Sequence, residues 1–180
     1  MITTGGIIAA LYLVLTLVSQ AMGIASGQIQ VRLSEALCVL PAFTPAAVPG
    51  LFIGCLLANI ITGAALPDVI FGSLATLAGA VLTRLICVKH SANKSAGSSA
   101  NKSVRSSANK SGRNSDAVLA VLPTIICNSL IIPFVLRYAY GAGPLLLNFA
   151  TIIAGEIISA GILGIIFYKG LSHFNGSGLF

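Results

Sequence analysis

The sequence is poor in charge. Only 8% of its 180 residues are Asp, Glu, Lys or Arg, and only four of those are acids. A soluble domain carries about 25% charged residues. With 56% hydrophobic residues and a mean hydropathy of +0.98, a chain of this length holds more apolar surface than one aqueous core can hide. This excludes a soluble enzyme, a nucleic-acid-binding domain and a disulfide-stapled secreted scaffold. Other features are missing too. Cys38, Cys55, Cys87 and Cys127 form no C-x-x-C pair and read as small buried hydrophobes. No His-Glu-x-x-His occurs, and His90 and His173 lie in flanks of the apolar runs, so neither an intramembrane enzyme nor a metal site nor a cofactor is expected. Met1 to Gly6 contain no Lys or Arg, so the first apolar run lacks the positive leader of a cleavable signal.

What is present is a series of apolar runs. A transmembrane helix takes about 17 to 25 apolar residues, and the stretch from about Gly5 to Met22 qualifies. From Leu33 to Thr62 the chain stays apolar for longer than one crossing needs, interrupted by Pro41, Pro45 and Pro49. Proline removes a donor and restricts its neighbour, so two shorter helices meeting near Thr44-Pro45 are predicted. Further runs cover about Pro67 to Val88, Ala117 to Tyr138 and Leu146 to Lys169. The expected fold is all-α, six transmembrane helices in one compact bundle spanning 1–180 as a single domain.

The cations are placed unevenly. Lys89, Lys94, Lys102, Arg105, Lys110 and Arg113 are six of the ten, all between the fourth and fifth runs. The positive-inside rule makes this loop cytoplasmic, and an even number of crossings then puts both termini there too. Arg32 and Arg137, near the outer ends, are the cations that topology does not explain. The loop repeats Ser-Ala-Asn-Lys-Ser at Ser91–Ser95, Ser99–Ser103 and Ser107–Ser111. Its composition cannot bury a core, so a disordered cytoplasmic linker is expected over about 89–116. Gly97 to Ser103 imitates a phosphate-binding loop, but Asn101 stands where glycine belongs. The Asn-Lys-Ser triplets and Asn175-Gly-Ser177 match glycosylation sequons that a cytoplasmic segment never presents to that machinery.

An ionisable group inside a bilayer costs about 2.5 to 3.5 kcal/mol on insertion scales, so each one is a functional candidate. Arg32 and Glu35 open the second segment, Asn59 closes the third, Asp68 opens the fourth, Arg137 closes the fifth and Asn148 opens the sixth. Asn128 and Glu156 lie nearer the middle. Together they outline a polar pocket facing outward. Each has a structural alternative: an Arg32–Glu35 ion pair along one helix face, helix capping by Asp68, and cross-helix bonds for Asn59 and Asn128. Glu156, after Gly155 in an apolar span, has no such alternative and is expected to meet a ligand or partner. Gly5, Gly6, Ala9 and Ala10 form a small-residue surface on the first helix, suited to close helix packing within the bundle or with a partner.

Gln30-Val-Arg32-Leu-Ser34-Glu35-Ala36-Leu37, Leu40-Pro41, Phe43-Thr44-Pro45-Ala46-Ala47-Val48-Pro49-Gly50-Leu51-Phe52-Ile53-Gly54-Cys55, Ala58-Asn59, Phe71-Gly72-Ser73-Leu74-Ala75-Thr76-Leu77 and Gly155-Glu156 together resemble the queuosine-precursor transporter family, QueT. The similarity is dense from about Gln30 to Leu82 and sparser in the last two helices. It implies a substrate-binding subunit of an energy-coupling-factor (ECF) transporter in a bacterial cytoplasmic membrane, without an ATPase of its own. Such a subunit would take a 7-deazaguanine from outside and work with one further membrane subunit, the T component, and two ATPase subunits. The small residues of the first helix would meet that membrane subunit.

A deazaguanine edge offers two adjacent N–H donors beside a carbonyl, and a carboxylate accepts both donors. Glu35 or Glu156 is expected in this role, with Arg32, Asn59 or Asn148 donating to the carbonyl. The remaining carboxylate or Asp68 would neutralise an aminomethyl cation if the ligand has one. Phe71, one turn from Asp68, is expected to stack on the ring or to pack in the core. The alternatives are a proton-coupled carrier titrating Glu35 and Glu156, and a subunit for a different vitamin-like ligand.

Overall fold

The computed structural model describes residues 1–25, 30–97 and 108–175, with the side chains of 94–97, 108–113 and 174–175 outside the described set. All regular structure among the described residues is helical. In chain order the elements are α1 (Ile2–Ala21), a 3-10 helix (Leu33–Ala42), α2 (Ala47–Ile61), α3 (Leu66–Gly97), α4 (Ala108–Ala139), α5 (Leu145–Glu156), a π-helical segment (Ile157–Leu163) and α6 (Gly164–Asn175). The last three form one continuous rod.

Six membrane segments are predicted, whereas among the described residues four helices are long and apolar enough to cross: Ile2–Ala21, Leu66–Asn93, Asn114–Ala139 and Leu145–His173. The 15 residues of α2 reach about 22 Å at 1.5 Å each. The 10 residues of the 3-10 helix reach about 20 Å at 2.0 Å each. Both fall short of a hydrocarbon core of about 30 Å. The break between them lies at Phe43–Ala46, where the prolines predict it. Pro49 sits in the first turn of α2, where its missing N–H would have had no helical partner.

Successive elements run in alternating directions. One end of the bundle gathers the C-termini of α1, α2 and α4 with the starts of the 3-10 helix, α3 and α5. Gly23 and Gly63 close α1 and α2 there at φ 72° each. Their amides bond back to Gln20 and Ile60, and the next residues bond to Ser19 and Asn59, a cap that needs a left-handed glycine. The opposite end carries Met1, the 42–47 turn and the extensions of α3 and α4. Within the stretch of about 89–116 where a disordered linker is expected, helix continues to Gly97 and resumes at Ala108. Extending a formed helix is far easier than nucleating one, and the repeat has no proline to stop it. His90 Nδ1 and Asp116 Oδ1 meet at 3.1 Å between these extensions. Residues 98–107, with the middle copy of the repeat and most of the phosphate-loop imitation, lie outside the described residues, as does the sequon's Gly176 and Ser177.

Polar residues point inward and large apolar ones outward. Thr16, Ser34, Glu35, Asn59, Thr76, Asn128 and Ser159 are buried, while Ile7, Leu11, Val14, Leu130, Phe134 and Ile162 are exposed. That arrangement suits a lipid surround. The predicted small-residue surface of α1 divides in two. Gly5 and Ala9 face α2, so closely that a Cβ on Gly54 would lie 2.9 Å from the Ala9 carbonyl oxygen and 2.8 Å from Tyr12 Cβ. Gly6 and Ala10 stay exposed on the outer face, and a Cβ on Gly6 would meet nothing.

Gly54→Ala is therefore expected to pry α1 from α2 and lower the stability of the detergent-solubilised chain by about 1–3 kcal/mol, read by thermal unfolding. Gly6→Ala should melt with wild type. Equal melting of both variants would mean the two helices do not pack this closely.

Candidate functional site

The 3-10 helix decides which side chains meet. With 3.0 residues per turn, positions three apart eclipse, so Glu35 and Cys38 share one face. Glu35 is 3% exposed and collects donors from three elements. Tyr12 Oη on α1 donates to its Oε1 at 2.8 Å. Cys38 Sγ donates to Oε2 at 3.2 Å, and Asn128 Nδ2 on α4 donates to the same oxygen at 3.4 Å. The amide of Asn128 also donates to Glu156 Oε1 at 2.9 Å. One amide thus bridges two carboxylates. Glu156 Oε2 and Asn128 Oδ1 are covered and have no partner. Among the described residues, no Lys, Arg or His forms an ion pair with either glutamate.

Asp68 organises the neighbouring cluster. Arg32 Nη2 lies 3.9 Å from its Oδ2, and Tyr140 Oη donates to that oxygen at 3.2 Å. Tyr140 Oη in turn accepts the Ala65 amide at 2.8 Å, clamping the end of α4 to the start of α3. Burial pushes the Tyr140 hydroxyl upward, so it is a donor at neutral pH. Asp68 Oδ1 is covered and unpartnered.

Two cavities share Gln30 and Arg32 as lining. The outer one, about 490 Å³, is a vestibule between the helix ends, bordered also by Asp68, Tyr140, Asn148 and Thr151. The inner one, about 20 Å³, is lined by Glu35, Thr76, Asn128 and Glu156 with Gly72 at its wall. The chain entering the 3-10 helix is pinned between them. The Arg32 amide donates to Ser159 Oγ at 3.1 Å, and Gly155 lets the Gln30 carbonyl oxygen approach so closely that no Cβ would fit. The π-helical segment beginning one residue after Glu156 brings Ser159 round to that contact; such insertions are frequent at functional sites.

Most residues singled out in the sequence converge here. Arg32, Asp68 and Asn148 line the vestibule, and Glu35 and Glu156 line the inner cavity. The predicted alternatives resolve against local pairing: Arg32 turns to Asp68 rather than to Glu35, and Asp68 serves tertiary partners rather than a cap. Asn59, 1% exposed, stands behind the site and donates to the Asp68 carbonyl at 3.4 Å. Asn148 Nδ2 donates to the Ala142 carbonyl at 3.1 Å. Phe71 departs from expectation. It is 52% exposed on an apolar groove with Phe134 and Leu130, because the cavity face of α3 follows Asp68, Gly72 and Thr76, each four apart, and position 71 turns away from it. Arg137 is spent on the Gly143 carbonyl at 3.0 Å. Tyr12, Cys38, Tyr140 and Ser159 were not foreseen. A search for donors able to satisfy a buried Glu35 would have pointed to Tyr12.

A model of the QueT transporter family matches residues 2–173. Comparison with curated proteins and with solved structures finds no match.

Tyr12→Phe removes a buried donor without changing shape and leaves Glu35 Oε1 unpartnered. It should lower stability by about 1–3 kcal/mol, measured by thermal unfolding in detergent. Unchanged melting would remove Glu35 from the centre of this network.

Proposed function

Since the chain belongs to the QueT transporter family, we propose that it is the substrate-binding subunit of an energy-coupling-factor transporter and binds a 7-deazaguanine precursor of queuosine in the vestibule. The observation that carries this reading is the Asp68 carboxylate beside the Arg32 guanidinium, both lining a cavity of about 490 Å³. A carboxylate next to a guanidinium complements a deazaguanine edge, whose two N–H donors adjoin a carbonyl. Asp68 takes the N–H groups, Arg32 donates to the carbonyl, and Asn148 and Gln30 border the ring. Hydrogen bonds to charged groups are worth about 1.5–3 kcal/mol each, enough for capture without nucleotide.

The vestibule faces the outside, with both termini and the basic stretch in the cytoplasm of a bacterial cell. Six passes result, the 3-10 helix and α2 being short ones sheltered by their neighbours. Energy comes from two separate ATPase subunits through one further membrane subunit, which docks on the open Gly6–Ala10 face of α1, since Gly5 and Ala9 are already occupied by α2.

A second reading draws on the bridged Glu35–Asn128–Glu156 group, which would suit a proton-coupled carrier. Vesicles containing this chain alone separate the two. No uptake is expected without the ATPase subunits, and uptake driven by a proton gradient would favour the carrier.

Purified protein is expected to bind a 7-deazaguanine without nucleotide in calorimetry. Asp68→Asn should weaken binding roughly tenfold or more, and Phe71→Ala should leave it unchanged. Absence of binding to any deazaguanine, with binding of a vitamin in the same screen, would assign the subunit to another ligand.

A further inference from the structure

We infer that the groove between α3 and α4, at the end of the bundle that carries the vestibule, holds one acyl chain of an anionic phospholipid whose phosphate sits on the exposed Arg137 guanidinium. The inference is independent of what the vestibule binds. Shape, length and charge lead to it.

The groove has a volume of about 460 Å³ and is lined by Pro67 and Phe71 of α3 with Leu130, Phe134 and Tyr138 of α4. The Phe134 ring stands edge-on against Phe149 of α5, with centroids 5.6 Å apart and planes at 88°, which fixes that wall. Length selects the occupant. Leu130, Phe134 and Tyr138 follow one another by about a turn on one face, so they line the groove over about 12 Å. That is close to one leaflet's half of a hydrocarbon core of about 30 Å. An acyl chain has this reach, whereas a partner's transmembrane helix needs contact across the whole core.

The headgroup end of the groove carries the polar groups. Tyr138, 82% exposed, lies in the last turn of α4, where an aromatic ring sits at headgroup level. Arg137 beside it is exposed, and the ion pairs among the described residues, Arg32–Asp68 and His90–Asp116, leave it without a carboxylate. Its Nη1 donates to the Gly143 carbonyl, which anchors the guanidinium at the helix end and leaves four of its five donors for an acceptor outside the chain. A guanidinium takes a phosphate through two parallel hydrogen bonds. A zwitterionic headgroup would bring its own cation to this point. Asp68, the acid at the start of α3, is buried and already paired with Arg32, so nothing receives that cation and a net negative headgroup is favoured.

The chain contains no tryptophan, so one substitution supplies a unique fluorophore. Phe71→Trp puts it in the groove, with Leu130→Trp as the substitute reporter if that variant does not fold, and Val14→Trp puts it on the exposed face of α1 as a reference. Each full chain is reconstituted in phosphatidylcholine vesicles containing a rising fraction of chain-brominated phosphatidylglycerol or chain-brominated phosphatidylcholine, and quenching is followed. The groove reporter should take up the brominated phosphatidylglycerol about fivefold or more in preference to the brominated phosphatidylcholine. Val14→Trp should be quenched equally by both, and Arg137→Gln should abolish the preference of the groove reporter. Equal quenching of the groove reporter by the two lipids would overturn the anionic site. The same preference at Val14→Trp would mean general attraction to a basic chain, and a preference kept in folded Arg137→Gln would place the headgroup elsewhere; each overturns the proposal. A groove reporter shielded from both lipids while Val14→Trp is quenched would mean that protein, such as a second copy of the chain, covers the groove, and overturns it as well. The comparison of the two reporters keeps Arg137 in place, so a misfolded Arg137→Gln does not spare the proposal.

Discussion

A carboxylate buried in an apolar interior must be supplied with hydrogen-bond donors, and the way Glu35 is supplied organises this bundle. Its donors come from α1, from its own 3-10 helix and from α4, and the amide of Asn128 carries the link onward to Glu156 on α5. Lipid provides no donors, so an unsatisfied group there costs several kcal/mol. The network therefore holds these elements in one register. It also explains an unusually long 3-10 helix. Three residues per turn keep Glu35 and Cys38 on a single face, which the α-helical period would rotate apart by about 60°.

The arrangement is saturated on one side and open on the other. Both oxygens of Glu35 have partners, while Glu156 Oε2, Asn128 Oδ1 and Asp68 Oδ1 are covered and have none. All three carboxylates line cavities, but folding provides partners for both oxygens of Glu35 and leaves one oxygen each of Glu156 and Asp68 without one. The sharp approach of Gln30 to Gly155 and the bond from the Arg32 amide to Ser159 set the position of the one cation among them. On the function proposed above, such a fixed set of acceptors would serve capture of a small polar molecule, because pre-organised groups lose little entropy on binding.

The two ends of the bundle divide the remaining work. At the vestibule end, glycine caps on α1 and α2 turn the chain tightly and leave the helix ends to wall a cavity. At the other end, Arg84 Nη1 donates to the Pro41 carbonyl at 3.2 Å and Phe43 packs on Tyr168 with ring centroids 4.9 Å apart, tying the end of the 3-10 helix to α3 and α6. Between the ends, Gly50 and Gly54 bring α2 against α1, and Gly79 brings α3 against Thr124 of α4. Close backbone contact replaces the hydrophobic drive that is lost once lipid is the solvent.

The sequence by itself determined the lipid solvent, the all-helical class, the proline break and the membership of Arg32, Glu35, Asp68, Asn148 and Glu156 in one polar region. Scarce charge and long apolar runs are local properties that hold regardless of packing. Pairing was decided only by the tertiary structure. Spacing suggested Arg32 with Glu35 and Asp68 with its own helix end, yet Arg32 and Asp68 found each other across elements, because the period of the Leu33–Ala42 segment and the direction it faces depend on its neighbours. The same holds for Phe71, turned outward by the rotation of α3, and for Tyr12, whose role is invisible until Glu35 is seen against it. Helix lengths were legible only in part, since an apolar run states where a helix is permitted and its neighbours decide how long it is and with what period it winds.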